Sequence, residues 1–215
     1  MRSLPVPTPI FRIMHVDNLH ICLSRRGIHA PNFMPNDGLV YRIIHNAEIQ
    51  SNRRVRRINC GPCGVVHDYL AFYFGPRSPM LLQLNTGRVQ GYTESQEPII
   101  YLVSTAQVVQ QSGAGFVFSD GHGVAVYTKW FDDLGNLSQL DWDAVYATYW
   151  KDDVDDMDRQ RKKQAEFLVH RFCPWTLINE IGVISSEIEG KVSRILSNFP
   201  SEVARVVRIH KDWYY

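Results

Sequence analysis

Apolar runs in this chain are short, and proline, glycine or a polar turn stops most of them. Alternate prolines at Pro5, Pro7 and Pro9 disfavour helix and lead into a run at 10–14. Gly75-Pro76 ends the aromatic run 69–74, Ser119-Asp120-Gly121-His122-Gly123 closes the run 116–119, and Pro174 stops the run 167–172. Runs of this length, rich in aromatic and branched residues, suit strands. The runs 80–84 and 99–104 read as buried strands by the same reasoning. Helical spacing is confined to a few places. Asp17 or Asn18 caps a helix over 19–26 that Gly27 closes, and 45–57 is helical with a basic end. Large apolar residues recur at helical spacing over 142–150, with more helix toward Gln164, and 186–208 reads as one or two amphipathic helices. Residues 31–38 form a loop. Short strands mixed with short helices, without regular alternation, predict an α+β fold.

A chain of 215 residues fits one domain, 1–215, and can bury a core without metal or disulfide staples. Its 45% hydrophobic and 21% charged residues are ordinary for a globular protein. Cys22, Cys60, Cys63 and Cys173 are unevenly spaced and imply no disulfide framework. The opening Met-Arg-Ser-Leu-Pro lacks an apolar core for a secretory signal, and no stretch is long and apolar enough for a membrane span. Cytoplasm is therefore the expected location, with no membrane partner. A formal net charge of +1 does not advertise nucleic-acid binding, but the distribution is uneven. Arg53, Arg54, Arg56 and Arg57 form one basic cluster, and Arg159, Arg161, Lys162 and Lys163 form another. Asp152, Asp153, Asp155, Asp156 and Asp158 precede the second. Such clusters are either phosphate-binding patches or solvated faces.

Several familiar chemistries are excluded. Cys60-Gly61-Pro62-Cys63 has the thioredoxin-type form, but that chemistry needs a strand before it and a helix after it, whereas an arginine run precedes it and Gly64-Val65-Val66 follows. Two cysteines are half a zinc site, and no second pair stands at useful spacing, so no metal is expected. No G-x-G-x-x-G, P-loop or G-x-S-x-G sequence occurs.

Three stretches carry the remaining signal. Phe11-Arg12-Ile13-Met14-His15-Val16-Asp17-Asn18-Leu19 is a strand ending in a histidine and a polar turn. From Arg53 through His67-Asp68-Tyr69 and Phe72-Tyr73-Phe74 to Arg77-Ser78-Pro79-Met80, dense aromatics form either core or a stacking wall. Gln164-Ala165-Glu166-Phe167-Leu168-Val169-His170 places a carboxylate at the mouth of an apolar strand, as a solvated strand end or as a catalytic group.

Taken together, these stretches resemble the DarT family, toxins of DarT–DarG systems that transfer ADP-ribose from NAD to bases in DNA. The shared pattern is Pro-Thr-Pro-Ile-Phe, His15 with Asp17-Asn18-Leu19, His45, Arg53, Gly61-Pro62, Asp68-Tyr69, Tyr73-Phe74, Arg77-Ser78-Pro79-Met80 and Ala165-Glu166-Phe167-Leu168-Val169. It covers 8–183; the helices expected over 185–215 carry no family motif. The resemblance implies an ADP-ribosyltransferase fold, a split antiparallel sheet core with flanking helices and NAD in the cleft. It implies that His15, Asn18, Arg53, Tyr73 and Met80 hold NAD, with His122 at the edge of the cleft. Glu166 is the implied catalytic glutamate and Arg53 the arginine needed for turnover. Arg54, Arg56, Arg57, Arg159, Arg161, Lys162 and Lys163 are the implied contacts to single-stranded DNA, and residues 152–163 the substrate loop. The implied acceptor is thymidine, the implied role a bacterial toxin, and the implied partner a DarG-type macrodomain antitoxin. Two alternatives share these residues: a transferase of the same fold acting on RNA, on protein or on the 2′-phosphate of tRNA, and a non-catalytic nucleic-acid-binding module.

Overall fold

Pairing between strands shows how the chain opens a cleft. The computed structural model describes residues 2–215, leaving Met1 of the expected domain outside. Its strands are β1 (Pro9–His15), β2 (Gly27–His29), β3 (Arg57–Ile58), β4 (Gly64–Val65), β5 (Tyr69–Tyr73), β6 (Ile99–Thr105), β7 (Phe116–Ser119), β8 (Trp130–Phe131), β9 (Glu166–His170), β10 (Phe172–Pro174), β11 (Glu180–Val183) and β12 (Val206–Ile209). The helices are α1 (Leu19–Ser24), α2 (Ala47–Val55), α3 (Pro79–Asn85), α4 (Ala106–Gln111), α5 (Trp142–Val145), α6 (Arg159–Lys162) and α7 (Ser186–Leu196). Eight strands share one sheet in the order β12-β11-β6-β1-β5-β9-β7-β8, and β10-β2 and β3-β4 form two small ribbons. The large sheet is antiparallel except where β12 runs parallel to β11.

β1 pairs with β6 along its whole length, from Pro9↔Thr105 to His15↔Ile99, and β5 pairs with β9 from Tyr69↔His170 to Tyr73↔Glu166. Between these two well-knit halves, β1 and β5 meet only at Phe11↔Tyr73. The sheet is thus split at its centre, as expected of the fold. Diverging strands leave main-chain groups without ladder partners, and these need another donor or acceptor. Arg12 supplies one: its Nη1 donates to the Ala71 carbonyl at 2.8 Å, bridging the gap.

Each half buries an apolar face. Phe74 sits edge-on to Phe118, Phe167 and Trp142 in the main core, while Phe11, Ile13, Leu81, Tyr101 and Tyr214 pack together on the β1–β6 half. Ile58, Val66, Tyr69, Val117 and Leu168 form a third cluster, beneath the β3–β4 ribbon.

Several local expectations are corrected. The run 80–84 is not a strand but the body of α3, because Ser78 accepts a hydrogen bond from the Leu81 N–H and Pro79 occupies the first turn. Of the helix expected over 142–150 and beyond, only α5 and α6 form. Between them, Asp153 accepts from the N–H groups of Asp155 and Asp156, Asp156 from that of Asp158, and Asp152 from that of Gln160, and these local turns compete with helix. The tail is one helix, α7, and then β12, whose β-branched Val206, Val207 and Ile209 pair with β11. The run 167–172 breaks at Arg171, whose φ of 61° separates β9 from β10. Cys60 to Cys63 form a turn with φ of 54° at Gly61 and 61° at Cys63, and both thiols are free. Among the described residues no helix is long and apolar enough to cross a membrane.

Candidate active site

A cleft of about 370 Å³ opens where β1 and β5 diverge, lined among others by Asn18, Arg53, Tyr73, Met80, His122 and Glu166. Glu166 is the first residue of β9, directly opposite Tyr73 in the sheet, and only 3% exposed. The reading of Glu166 as a solvated strand end is therefore wrong. Its partner is Arg53, carried by α2, which Asn46 caps by accepting from the N–H groups of Glu48 and Ile49. Arg53 Nη1 lies 2.7 and 3.0 Å from the two carboxylate oxygens of Glu166. Burial opposes the charge on Arg53, but Glu166 outweighs it and holds the guanidinium pKa above its ordinary value. In a low-dielectric pocket such a pair persists only because each ion answers the other.

The wall around this pair is close-fitting. Gly123, in the loop after β7, approaches so near that a Cβ there would lie 3.0 Å from Glu166 Oε2 and 3.2 Å from Trp130. The adjacent His122 is kept below its usual pKa by burial, which Glu166 only partly offsets, so its imidazole is neutral at pH 7. Tyr73 is held protonated by burial and by the negative charge of Glu166, and its hydroxyl lies 3.9 Å from the Met80 sulfur.

His15 and Asn18 stand at the end of β1. The His15 Nδ1 accepts from the Asp17 N–H at 3.1 Å, so the ring proton sits on Nε2, 3.3 Å from Glu94 Oε2. Burial pushes the His15 pKa down to about 4, with Asp17 opposing and Arg42 and Lys191 assisting. Neither Asp17 nor Asn18 caps α1 through its side chain, contrary to expectation. Asn18 instead clamps Arg42, accepting from its N–H at 2.7 Å and donating to its carbonyl at 2.8 Å, which fixes the segment bordering the cleft. The dinucleotide candidates Asn18, Arg53, Tyr73 and Met80 thus line one cleft, with His15 buried just behind it.

The family model for the ssDNA thymidine ADP-ribosyltransferase DarT matches residues 11–215. The chain belongs to the DarT family. It is 45% identical over 214 residues to a DNA ADP-ribosyl transferase of Thermus sp. (strain 2.9), spanning 100% of this chain and 99% of that protein. Thermus sp. 2.9 DarT in complex with ADP-ribosylated ssDNA superposes with a TM-score of 0.93 at 44% identity, covering 100% of this chain and 99% of that one. The same Thermus protein in complex with NAD+ gives 0.89 at 43% identity, covering 99% and 100%. The DarT likeness therefore runs through α7 and β12, beyond the limit of residue 183 set by the sequence motifs.

Within this DarT-family frame, the second basic cluster does not behave as a free phosphate track. Arg159 pairs with Asp153 at 2.9 Å, Arg161 with Asp158 at 2.7 Å and Asp120 at 2.8 Å, and Lys162 with Asp156 at 3.0 Å and Asp141 at 3.2 Å. Lys163 is buried and donates to the carbonyls of Val145 at 2.7 Å and Pro76 at 3.3 Å, so it is removed from the surface altogether. The acidic run before the cluster supplies most of these partners. In the first cluster, Arg54 and Arg57 are exposed, and Arg56 donates to the carbonyls of Ala125 and Val126. Arg12 is the lining residue that motif reading passed over. A charge inside the apolar run Ile10-Phe11-Arg12-Ile13-Met14 was its signal: burial lowers its pKa, and no carboxylate among the described residues pairs with it.

Proposed function

We propose that this chain cleaves NAD at the nicotinamide glycosidic bond and transfers ADP-ribose to a thymidine base in single-stranded DNA. The observation that carries this reading is the buried Arg53–Glu166 pair at the wall of the central cleft, in a chain of the DarT family. Asn18, Arg53, Tyr73 and Met80 hold the dinucleotide, supported by their convergence on this cleft, while the buried His15 backs the wall behind them. As the C1′–N bond breaks, its electron pair leaves with nicotinamide, and positive charge develops on the ribose. Glu166, ion-paired with Arg53, is the carboxylate placed to stabilise that oxocarbenium-like state. The imide nitrogen of thymine then bonds to C1′ and its proton passes to Glu166. Arg54, Arg56 and Arg57 serve the DNA phosphates, whereas the ion-paired cluster 159–163 shapes the substrate loop. Residues 1–215 act as one catalytic unit, because strands from both ends of the chain share the large sheet.

The same reading makes the protein a cytoplasmic toxin, since both substrates are found there and a bulky base adduct blocks replication. A DarG-type macrodomain partner relieves it. Mass spectrometry of a thymidine-containing oligonucleotide incubated with the protein and NAD tests the core of this reading. An ADP-ribose adduct on the base, on DNA and not on RNA or protein, is the expected result. Consumption of NAD with label only on RNA or protein overturns the acceptor, and no NAD turnover at all overturns the enzyme.

A further inference from the structure

The loop that presses Gly123 onto Glu166 continues outward to the molecular surface, and there it exposes apolar groups. Val126 is 84% exposed and Tyr127 68%, beside the α2 end where Val55 is 73% exposed. These side chains are not at the tip of a loose loop. Arg56 Nη2 ties the carbonyls of Ala125 and Val126 to the end of α2 at 2.9 and 3.0 Å. The hydroxyl of Thr128 donates to the His122 carbonyl at 2.7 Å, and the Arg161 guanidinium lies 5.0 Å from the Tyr127 ring centroid. A tyrosine held against an arginine with most of its surface open is a pre-ordered stacking platform. The segment that Arg56 ties to this loop carries free basic charge. Arg54 and Arg57 are exposed and have no carboxylate in ion-pair range among the described residues, unlike the neutralised cluster at 159–163.

Resting on the DNA-modifying function proposed above, we infer that Tyr127 is the stacking platform for a base flanking the target thymidine, with Arg54 and Arg57 tracking the phosphates beside it. An exposed aromatic ring flanked by unpaired arginines matches a single strand, whose bases offer a π-face at every step and whose backbone offers phosphates. The loop also gives continuity, because one end of it lines the cleft at His122 and the other presents Tyr127. A strand whose target base enters beside Glu166 thus leaves across this platform.

The test measures KM for a single-stranded oligonucleotide at saturating NAD. Tyr127→Ala is expected to raise KM about 10-fold while the NAD-induced rise in melting temperature stays as in the wild type; Tyr127→Trp is expected to keep the wild-type KM. Replacing Arg54 and Arg57 together by Gln should reduce the slope of log affinity against log salt by about 1.4, from roughly 0.7 per phosphate on a single strand. An unchanged KM in Tyr127→Ala overturns the inference, as does a tryptophan variant as impaired as the alanine one. So does loss of the NAD-induced stabilisation, which marks a collapsed loop. Unchanged DNA labelling with lost binding of a macrodomain partner makes the patch a protein-docking surface and overturns it equally. If the wild-type protein labels no DNA, the proposed function and this inference fall together; if it labels DNA and Tyr127→Ala does so equally well, only the inference falls.

Discussion

Glu166 and Arg53 are each tolerable in the interior only because of the other. At 3% and 8% exposure, removing one partner strands a buried charge, a loss of about 3–5 kcal/mol. Glu166→Ala and Arg53→Ala are therefore expected to lower the melting temperature as well as activity, whereas the paired change to methionine at both positions restores much of the stability and none of the turnover. Glu166→Gln separates the two effects. It keeps shape and one acceptor but not the anion, so turnover should fall by at least roughly 10²-fold, the scale for losing one preorganised electrostatic partner. NAD affinity should change much less, because the charge acts on a state that exists only during bond breaking. Calorimetric NAD titration, thermal melts and DNA labelling on the same variants check this. A folded Glu166→Gln protein that labels DNA at near wild-type rate would falsify the catalytic assignment.

Elements place these residues, and each placement has a measurable support. Asn46 caps α2, the helix that carries Arg53, so Asn46→Ala should cost about 1 kcal/mol in denaturant unfolding and Asn46→Gly only a few tenths. Lys163, which joins the end of α6 to the turns at Val145 and Pro76, has its pKa pushed down to about 8 by burial first, with Arg77 and Arg2 adding to the effect. From there to the ordinary 10.5, the unfolded chain holds a proton that the folded one has released, so stability rises with pH through that window. Buried Tyr69, Tyr73, Tyr101 and Tyr214, all shifted upward by burial, act in the opposite sense at higher pH, once the unfolded chain ionises its tyrosines. Between pH 8 and 10 the wild type should therefore gain roughly 2 kcal/mol that Lys163→Met does not gain, read from paired melts across that range. The same elements show what was legible beforehand. β1, β5, β6 and β7 were readable because aromatic and branched residues sit between hard stops. The run at 80–84 is apolar enough for either state, and its helix is decided by Ser78 and Pro79 just before it. β12 was hidden because its partner β11 lies more than twenty residues away and the intervening α7 set the apparent period. Arg53 and Glu166 were visible as family motif positions, but their contact spans 113 residues, and nothing local in the sequence announces it.

At the scale of the whole molecule, the question is how a chain of net charge +1 engages a polyanion. Seven basic residues from the two clusters, all tracking phosphates of a single strand, give a slope of log affinity against log salt near −5, at roughly 0.7 per contact. The fold removes most of that. Arg159, Arg161 and Lys162 are committed to aspartates, and Lys163 to the interior. With Arg54, Arg56 and Arg57 left, the slope should be about −2, and fluorescence anisotropy of a labelled oligonucleotide across a salt series distinguishes the two values. Weak electrostatics must then be supplemented by shape, which sets the preference for strandedness. Glu166 stands at the wall of a cleft of about 370 Å³, so a base reaches it only when lifted out of any stack. A duplex charges a few kcal/mol for that, and a single strand much less. Labelling of an oligonucleotide should therefore drop at least tenfold when its complement is annealed, a ratio that persists at raised salt because it comes from unpairing rather than from phosphate contacts. Equal labelling of duplex and single strand, or a preference that vanishes with salt, shows that the acceptor is selected by charge and not by the depth of the cleft.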